Sequence, residues 1–291
     1  MSYLGGKARH ADFILDVLND PHFDGRDYVE PMIGMAHILH RVRNKRSYAA
    51  SDAHPLLVTL LRAVQAGTPL PTHISKARYE ELKRADGVNT LERACAAFQW
   101  SFNGKYFGGY TPSYTRPNGR VDNIPKSRAN HYHRLRQAPS FRDATFSQCD
   151  YRTLSPPADA LVYVDPPYEG RTAYEGVPPF DHEAFWRTMR EWSTRCVVLI
   201  SEYRAPADFV LITSQSKPSS FAGGAHQTTR TERLFAHAST LPRLPPRLRP
   251  SPEAPYRATA LRPTEPRPAQ AHPTKPDSDA RRLLRVLLTR C

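Results

Sequence analysis

The sequence predicts an α/β protein: a mostly parallel sheet with helices on both faces. Three observations carry this. Short, continuous, β-branched-rich runs, of which residues 160–164 are the clearest, have the pattern of strands buried on both faces. They alternate with apolar residues at helical spacing, such as Leu56, Leu57, Leu60, Leu61 and Val64. Several strand ends carry an acid beside proline or glycine, the place where open α/β sheets bind ligands.

In chain order, Tyr3-Leu4-Gly5-Gly6-Lys7 leads into a helix with Phe13, Ile14, Val17 and Leu18 on one side, stopped by Asn19-Asp20-Pro21. The paired glycines permit close backbone approach and Lys7 supplies a cation, although an ordinary loop has the same composition. Residues 27–36 read as a strand ending in Glu30-Pro31, a turn at Gly34, and then a helix carrying Ile38, Leu39 and Val42. That layout presents helix N-terminal amides to a ligand. A second strand, 47–51, ends in Asp52, close to the expected spacing of ~20 residues beyond the glycine turn. An acid there accepts hydrogen bonds from ribose hydroxyls; it equally suits a cap for the helix that follows.

Residues 67–71 close this unit, and the pattern then changes until about residue 144. Two helical segments, near 76–84 and 90–102, precede Phe102-Asn103-Gly104-Lys105-Tyr106-Phe107-Gly108-Gly109-Tyr110 and a basic stretch to Arg136. Aromatics interleaved with glycine, asparagine and arginine suit phosphate contacts, base-edge hydrogen bonds and insertion into a base stack. A solvated basic loop reads the same way residue by residue. His131-Tyr132-His133 has no cysteine or carboxylate at metal spacing, so no metal site is expected.

The sheet resumes at 145–150 and 160–168. A helix then begins after Phe180, with Asp181 as its N-cap and Phe180 stapled to Phe185. Strands at 196–201, 209–213 and 231–235 complete the pattern. Within it, Asp165-Pro166-Pro167-Tyr168 stands out. Two prolines cannot continue a central strand, so they hold rigid acceptors at a strand's carboxyl end. The Asp165 carboxylate and the Pro166 carbonyl suit an exocyclic amino group, and Tyr168 offers a flat face. An ordinary strand-ending turn remains the alternative on these four residues alone.

The chain of 291 residues is long enough for one core and an accessory piece. Its four cysteines have no paired spacing, which suits a reduced intracellular setting. No signal-like segment is evident and no apolar run is long enough to span a bilayer. The formal charge of +13 is concentrated in two places. Residues 105–136 hold seven basic side chains against Asp122 alone, and residues 239–291 hold eleven against four acids. Focused positive charge points to a polyanion partner. Residues 239–280 also hold 11 of the 28 prolines and are expected to be disordered; residues 280–290 suit a short basic helix.

Taken together these motifs resemble the Dam-like N6-adenine DNA methyltransferases. YLGGK at 3–7 is similar to that family's opening motif, VEPMIGMA at 29–36 to its cofactor loop, and CDY at 149–151 to its adenine-contacting segment. DPPY at 165–168 is similar to its catalytic motif, and SFNGKYFGGY at 101–110 with DNIP at 122–125 to its target-recognition segment. LISEY at 199–203 and TERLF at 231–235 resemble later strands, in the family's order.

The resemblance implies a Rossmann-like methyltransferase fold formed by 1–66 and 145–238, with a largely helical target-recognition domain inserted at 67–144 and a Pro/Arg-rich tail at 239–291. It implies S-adenosyl-L-methionine as cofactor, held by Tyr3, Gly6, Lys7, Glu30, Pro31, Gly34, Asp52, Asp150 and Asp165. Asp165, Pro166, Pro167 and Tyr168 would act on a flipped-out adenine. Asn103, Lys105, Tyr106, Tyr110, Arg116, Arg120, Asn123, Lys126 and Arg128 would contact double-stranded DNA. A cytoplasmic monomer with no metal, in a bacterial or phage-infected cell, is the accompanying expectation. The chain departs from the family at Met32 and Ala36, where a phenylalanine and a second glycine are usual; alanine is small enough to be accepted there. Two other readings fit the residues: an N4-cytosine methyltransferase, disfavoured by the acid at 165, and a catalytically silent DNA-binding protein.

Overall fold

A computed structural model describes residues 7, 10–115, 118–169, 176, 177, 179–218 and 229–250. Among them are nine strands: β1 (Asp27–Glu30), β2 (Ser47–Asp52), β3 (Ser113–Thr115), β4 (Val121–Asn123), β5 (Thr145–Gln148), β6 (Leu161–Val164), β7 (Val197–Glu202), β8 (Phe209–Pro218) and β9 (Thr229–His237). The helices are α1 (Ala11–Leu18), α2 (Pro55–Ala66), α3 (Lys76–Arg84), α4 (Leu91–Ala94), α5 (Ile124–Gln137), α6 (Pro139–Arg142) and α7 (His182–Ser193).

Seven strands form one sheet in the order β5-β2-β1-β6-β7-β9-β8. The first five are parallel, whereas β9 runs antiparallel to both β7 and β8. Strand alternation sorts the core into two layers. Leu161, Tyr163, Val197 and Leu199 join α1 and α2 on one face, while Val162, Val164, Val198 and Ile200 join Phe185, Met189 and Trp192 of α7 on the other. The predicted α/β architecture is therefore present. The strand order reverses between β1 and β6, which opens a crevice at their carboxyl ends.

Local signals placed the elements well. Asp181 caps α7 through the Ala184 amide at 2.9 Å, and the Phe180 and Phe185 rings lie 5.4 Å apart. The helix expected after Gly34 is absent: the chain makes a single 3₁₀ turn, Leu39–Arg41, before β2. Gly34 and Ala36 both have left-handed backbone, at φ 49° and 54°, and a right-handed helix cannot run through that conformation. Alanine at 36 was expected to be accepted on grounds of size; the cost it bears is conformational.

Two further differences concern the basic segments. The basic stretch, for which a solvated loop was the alternative reading, forms the β3–β4 hairpin and the fourteen-residue α5. Asn123 caps α5 by accepting from the Lys126 amide at 2.9 Å, and Pro125, Arg128, His131, Tyr132 and Leu135 recur on its buried side. That helical period was obscured by the charges between them. Leu135 and Tyr132 share a core layer with α2, so the insertion packs into the body of the protein.

The described residues all lie within one compact unit; residues 251–291, which hold most of the expected tail, lie outside the described residues. The expected tail does not begin at Ser239. Ala238–Arg243 and Pro246–Leu248 form 3₁₀ turns in which prolines suit the geometry, and Leu244 and Leu248 are buried. Arg243 donates to the Cys196 carbonyl at 2.9 Å and Arg247 to Asp20 at 2.5 Å, so these arginines serve packing.

Candidate active site

The crevice between β1 and β6 is lined by residues that the sheet delivers from distant parts of the sequence. β6 is buried along its whole length and the chain leaves it at Asp165. Directly before α1, Lys7 places its ammonium 2.6 Å from the Asp165 carboxylate and 3.6 Å from Glu232 on β9. The same ammonium lies 4.3 Å from the centroid of the Tyr168 ring, which Tyr203 meets edge-on at 4.6 Å. The Tyr168 hydroxyl donates to Glu232.

Burial is the largest influence on Asp165 and raises its pKa to about 6; Lys7 opposes that shift and the Glu232 charge adds to it. Burial pulls Lys7 down, but Asp165 and Glu232 outweigh it, so the lysine is held above its ordinary value and charged. Glu30, at the end of β1, is buried and accepts from the Tyr28 hydroxyl at 2.7 Å. Desolvation keeps its carboxyl well above the ordinary range.

The Gly34 loop is tied to β2 by backbone and side chain. Ile33 donates its amide to the Ser51 carbonyl at 2.9 Å, and the Gly34 amide donates to Asp52 Oδ2 at 3.2 Å. The other Asp52 oxygen accepts from the His54 amide at 2.9 Å. Asp52 therefore organises the turn and the start of α2, with burial lifting its pKa to about 6. A carboxylate offers about four lone-pair sites, so the Gly34, His54 and Ala53 amides leave room for a hydroxyl. Asp150 lies past the end of β5, where it caps the turn at Tyr151–Thr153 and pairs with Arg152 at 2.6 Å.

Of the predicted site residues, the crevice gathers Lys7, Glu30, Pro31, Gly34, Asp52 and Asp165–Tyr168 at neighbouring strand ends. Tyr3, Gly6 and Arg116 lie outside the described residues. The DNA-contact set divides. Arg120, Asn123 and Lys126 are exposed, and Asn103 and Lys105 are half-buried. Tyr110 is committed to packing, with its hydroxyl on the Ile74 carbonyl at 2.8 Å and its ring stacked on Trp100. The Tyr106 hydroxyl accepts from Arg93 at 3.0 Å. Arg128 is a correction: it is 4% exposed and donates to the Gln99 carbonyl, so it stabilises the insertion and does not face a phosphate.

Sequence reasoning missed Glu202, Glu232 and Phe102. Two acids inside otherwise apolar strands were the available signal, because a buried polar group is the informative exception. Glu202 ends β7, and burial raises its pKa to about 8. Phe102 is 50% exposed, unlike its aromatic neighbours in the same segment. His131 packs against His37 at 5.0 Å and approaches the Met35 carbonyl, linking α5 to the Gly34 loop. Among the described residues no group of three or more histidines, cysteines or acids could hold a metal ion.

The residues present suit a cofactor that carries a carboxylate, a ribose and a base: a cation at Lys7, an acid with a spare acceptor site at Asp52, and the tight Gly34 turn between them. Solved structures similar to the chain include an rRNA methyltransferase, aviRa, from Streptomyces viridochromogenes, at 17% identity and a TM-score of 0.39, covering 82% of this chain and 88% of that one. They also include a precorrin 8W decarboxylase from Methanobacterium thermoautotrophicum, at 8% identity and a TM-score of 0.36, covering 79% and 89%. No curated protein matches the chain. A family model described as D12 class N6 adenine-specific DNA methyltransferase matches residues 3–202, a span that runs from the segment before Lys7 to Glu202 at the end of β7. More than half of the chain lies inside that match, and the protein belongs to the D12 class of N6 adenine-specific DNA methyltransferases.

Proposed function

We propose that this methyltransferase uses S-adenosyl-L-methionine to methylate an adenine flipped out of double-stranded DNA, and that it acts as a monomer with the 67–144 insertion as its target-recognition element. The convergence of Lys7 and Asp165 within 2.6 Å at the β1–β6 crevice is the observation that carries this reading. It joins a cofactor cation to the acceptor for the target amine.

Bound S-adenosyl-L-methionine supplies a methyl group already activated on a sulfonium. Lys7 would hold its carboxylate, Asp52 its ribose, and the Gly34 turn the chain between them, with Asp150 near its base. The amino nitrogen of adenine is a poor nucleophile because its lone pair is delocalised into the ring. Asp165 and the Pro166 carbonyl accept its two N–H bonds, which favours a more tetrahedral nitrogen with an exposed lone pair. The nitrogen would gain positive charge as it bonds the methyl carbon and the carbon–sulfur bond breaks, its electron pair leaving with the neutral sulfur; the Asp165 carboxylate opposes that charge directly, and one N–H proton is then released to solvent. Tyr168 supports the ring. The prolines fix the acceptors, so little reorganisation is needed at the moment of transfer.

Flipping costs a few kcal/mol of stacking and pairing. In the insertion, Lys126 and Arg120 are exposed for phosphates, and Phe102 is the aromatic that can enter the gap in the stack. Incubation with DNA and a methyl-labelled donor, followed by nucleoside analysis, tests the reading. Label in N6-methyladenine is expected. Label in N4-methylcytosine, or DNA binding with no transfer, contradicts it.

A further inference from the structure

Glu232 occupies a position that the reading above does not use. It lies on β9, whose Leu234 and Arg233 pair with Ser201 and Glu202, so residue 232 sits beside the carboxyl ends of β7 and β6. The following residues Leu234, Phe235 and Ala236 are fully buried, and Glu232 itself is only 5% exposed. An ionised carboxylate is costly to bury unless it is paired and hydrogen-bonded. Here it accepts from the Tyr168 hydroxyl and lies 3.6 Å from the Lys7 ammonium.

We propose that Glu232 is a positioning residue for methyl transfer: it fixes the plane of the Tyr168 ring through its hydroxyl, and it offers Lys7 a second acceptor so that Asp165 keeps an oxygen for the adenine amine. The inference rests on the assignment of Asp165 and Tyr168 made above. A tyrosine ring can swing about its side-chain torsions, and anchoring the hydroxyl at its far end removes that freedom. An ammonium has three donors and can serve two carboxylates at once. With Asp165 as its sole acid neighbour in this pair, Lys7 would compete with the incoming N–H groups for the same oxygens.

The charged and titratable groups around the pair are Glu30 on β1, Tyr163 on β6, Glu202 on β7, Tyr203 just past β7, and His10 ahead of α1, besides Lys7 and Tyr168. The Glu232 charge raises the pKa of Asp165, which stands at about 6. Removing that charge while keeping an acceptor should therefore ease ionisation of Asp165.

The test uses full-length E232Q, E232A, Y168F, E232A/Y168F and D165A, with kcat and KM for DNA measured across pH. E232A is expected to lower kcat by about tenfold or more with KM for DNA little changed, as for an interaction made in the transition state. The double variant should be no slower than E232A, because both changes sever one contact. E232Q should recover most of kcat and move the acid limb to lower pH. Parent-like kcat in both Glu232 variants, or additive losses together with an unmoved acid limb in E232Q, overturns the inference. If E232A does not fold, the E232Q pH profile decides alone. An active D165A overturns the site assignment itself; an inactive D165A beside neutral Glu232 variants overturns only the role of Glu232.

Discussion

The two ends of this protein's chemistry are built differently. At the carboxyl edge of the sheet, the acids Glu30, Asp52, Asp165, Glu202 and Glu232 are drawn inward, and burial raises the pKa of the first four. In the insertion, exposed Arg120 and Lys126 alternate with Arg128, which a helix turns into the core. Strand ends dictate where a motif residue points, whereas a helix distributes one charge run over both its faces. Charge alone is thus a poor guide to exposure in the insertion, whereas position in a strand is a good guide to where a residue lies at the strand ends.

The largest expected effect concerns the buried edge. Asp165 opposes the charge that develops on the amine, and is at its strongest as an acceptor, only when ionised, and its folded-state pKa is about 6. The pH profile of kcat/KM should fall about tenfold per unit below that value. A profile flat to pH 5 would remove Asp165 from the role. The contrast within the insertion comes next. Arg128→Ala should lower stability by about 2 kcal/mol in urea melts, through loss of the buried donor on the Gln99 carbonyl, and leave the salt dependence of DNA binding unchanged. Lys126→Ala should leave stability unchanged and reduce the salt slope by about 1. Reversed outcomes would mean that α5 presents its other face to DNA.

The smallest effect is expected in the loop that joins the two regions. Ala36 at φ 54° carries about 1–2 kcal/mol of left-handed strain, offset by the greater chain entropy of an unfolded glycine. Ala36→Gly should raise stability by about 0.5–1 kcal/mol in the same melts. A destabilised variant would show that the alanine methyl group, fully buried beside α5, contributes more than the backbone costs.

What could be read from the chain follows this division. The strands were legible because a short apolar run that ends in an acid-proline turn has few alternatives, as 160–168 illustrates. The Asp165 and Asp52 positions followed from the same rule, although Asp52 also proves to accept from the Gly34 and His54 amides, tying the glycine turn to the residue before α2 without capping that helix. The hairpin, α5 and the packed turns at Ala238–Leu248 were hidden for one reason: arginines and prolines read as solvated or disordered until the carbonyls they bond and the side chains beside them are located. Glu232 was hidden because its partners, Lys7 and Tyr168, lie far away in sequence and meet it only through the β6-β7-β9 order.

Single-turnover methyl transfer by Asp165→Ala, with DNA binding and thermal stability measured on the same sample, tests the central claim most directly. A loss of about a thousandfold or more in the transfer rate, with DNA affinity and folding retained, is the result expected for removal of a preorganised acceptor facing developing charge. Transfer within about tenfold of the parent would show that the β6 strand end does not hold the reacting amine.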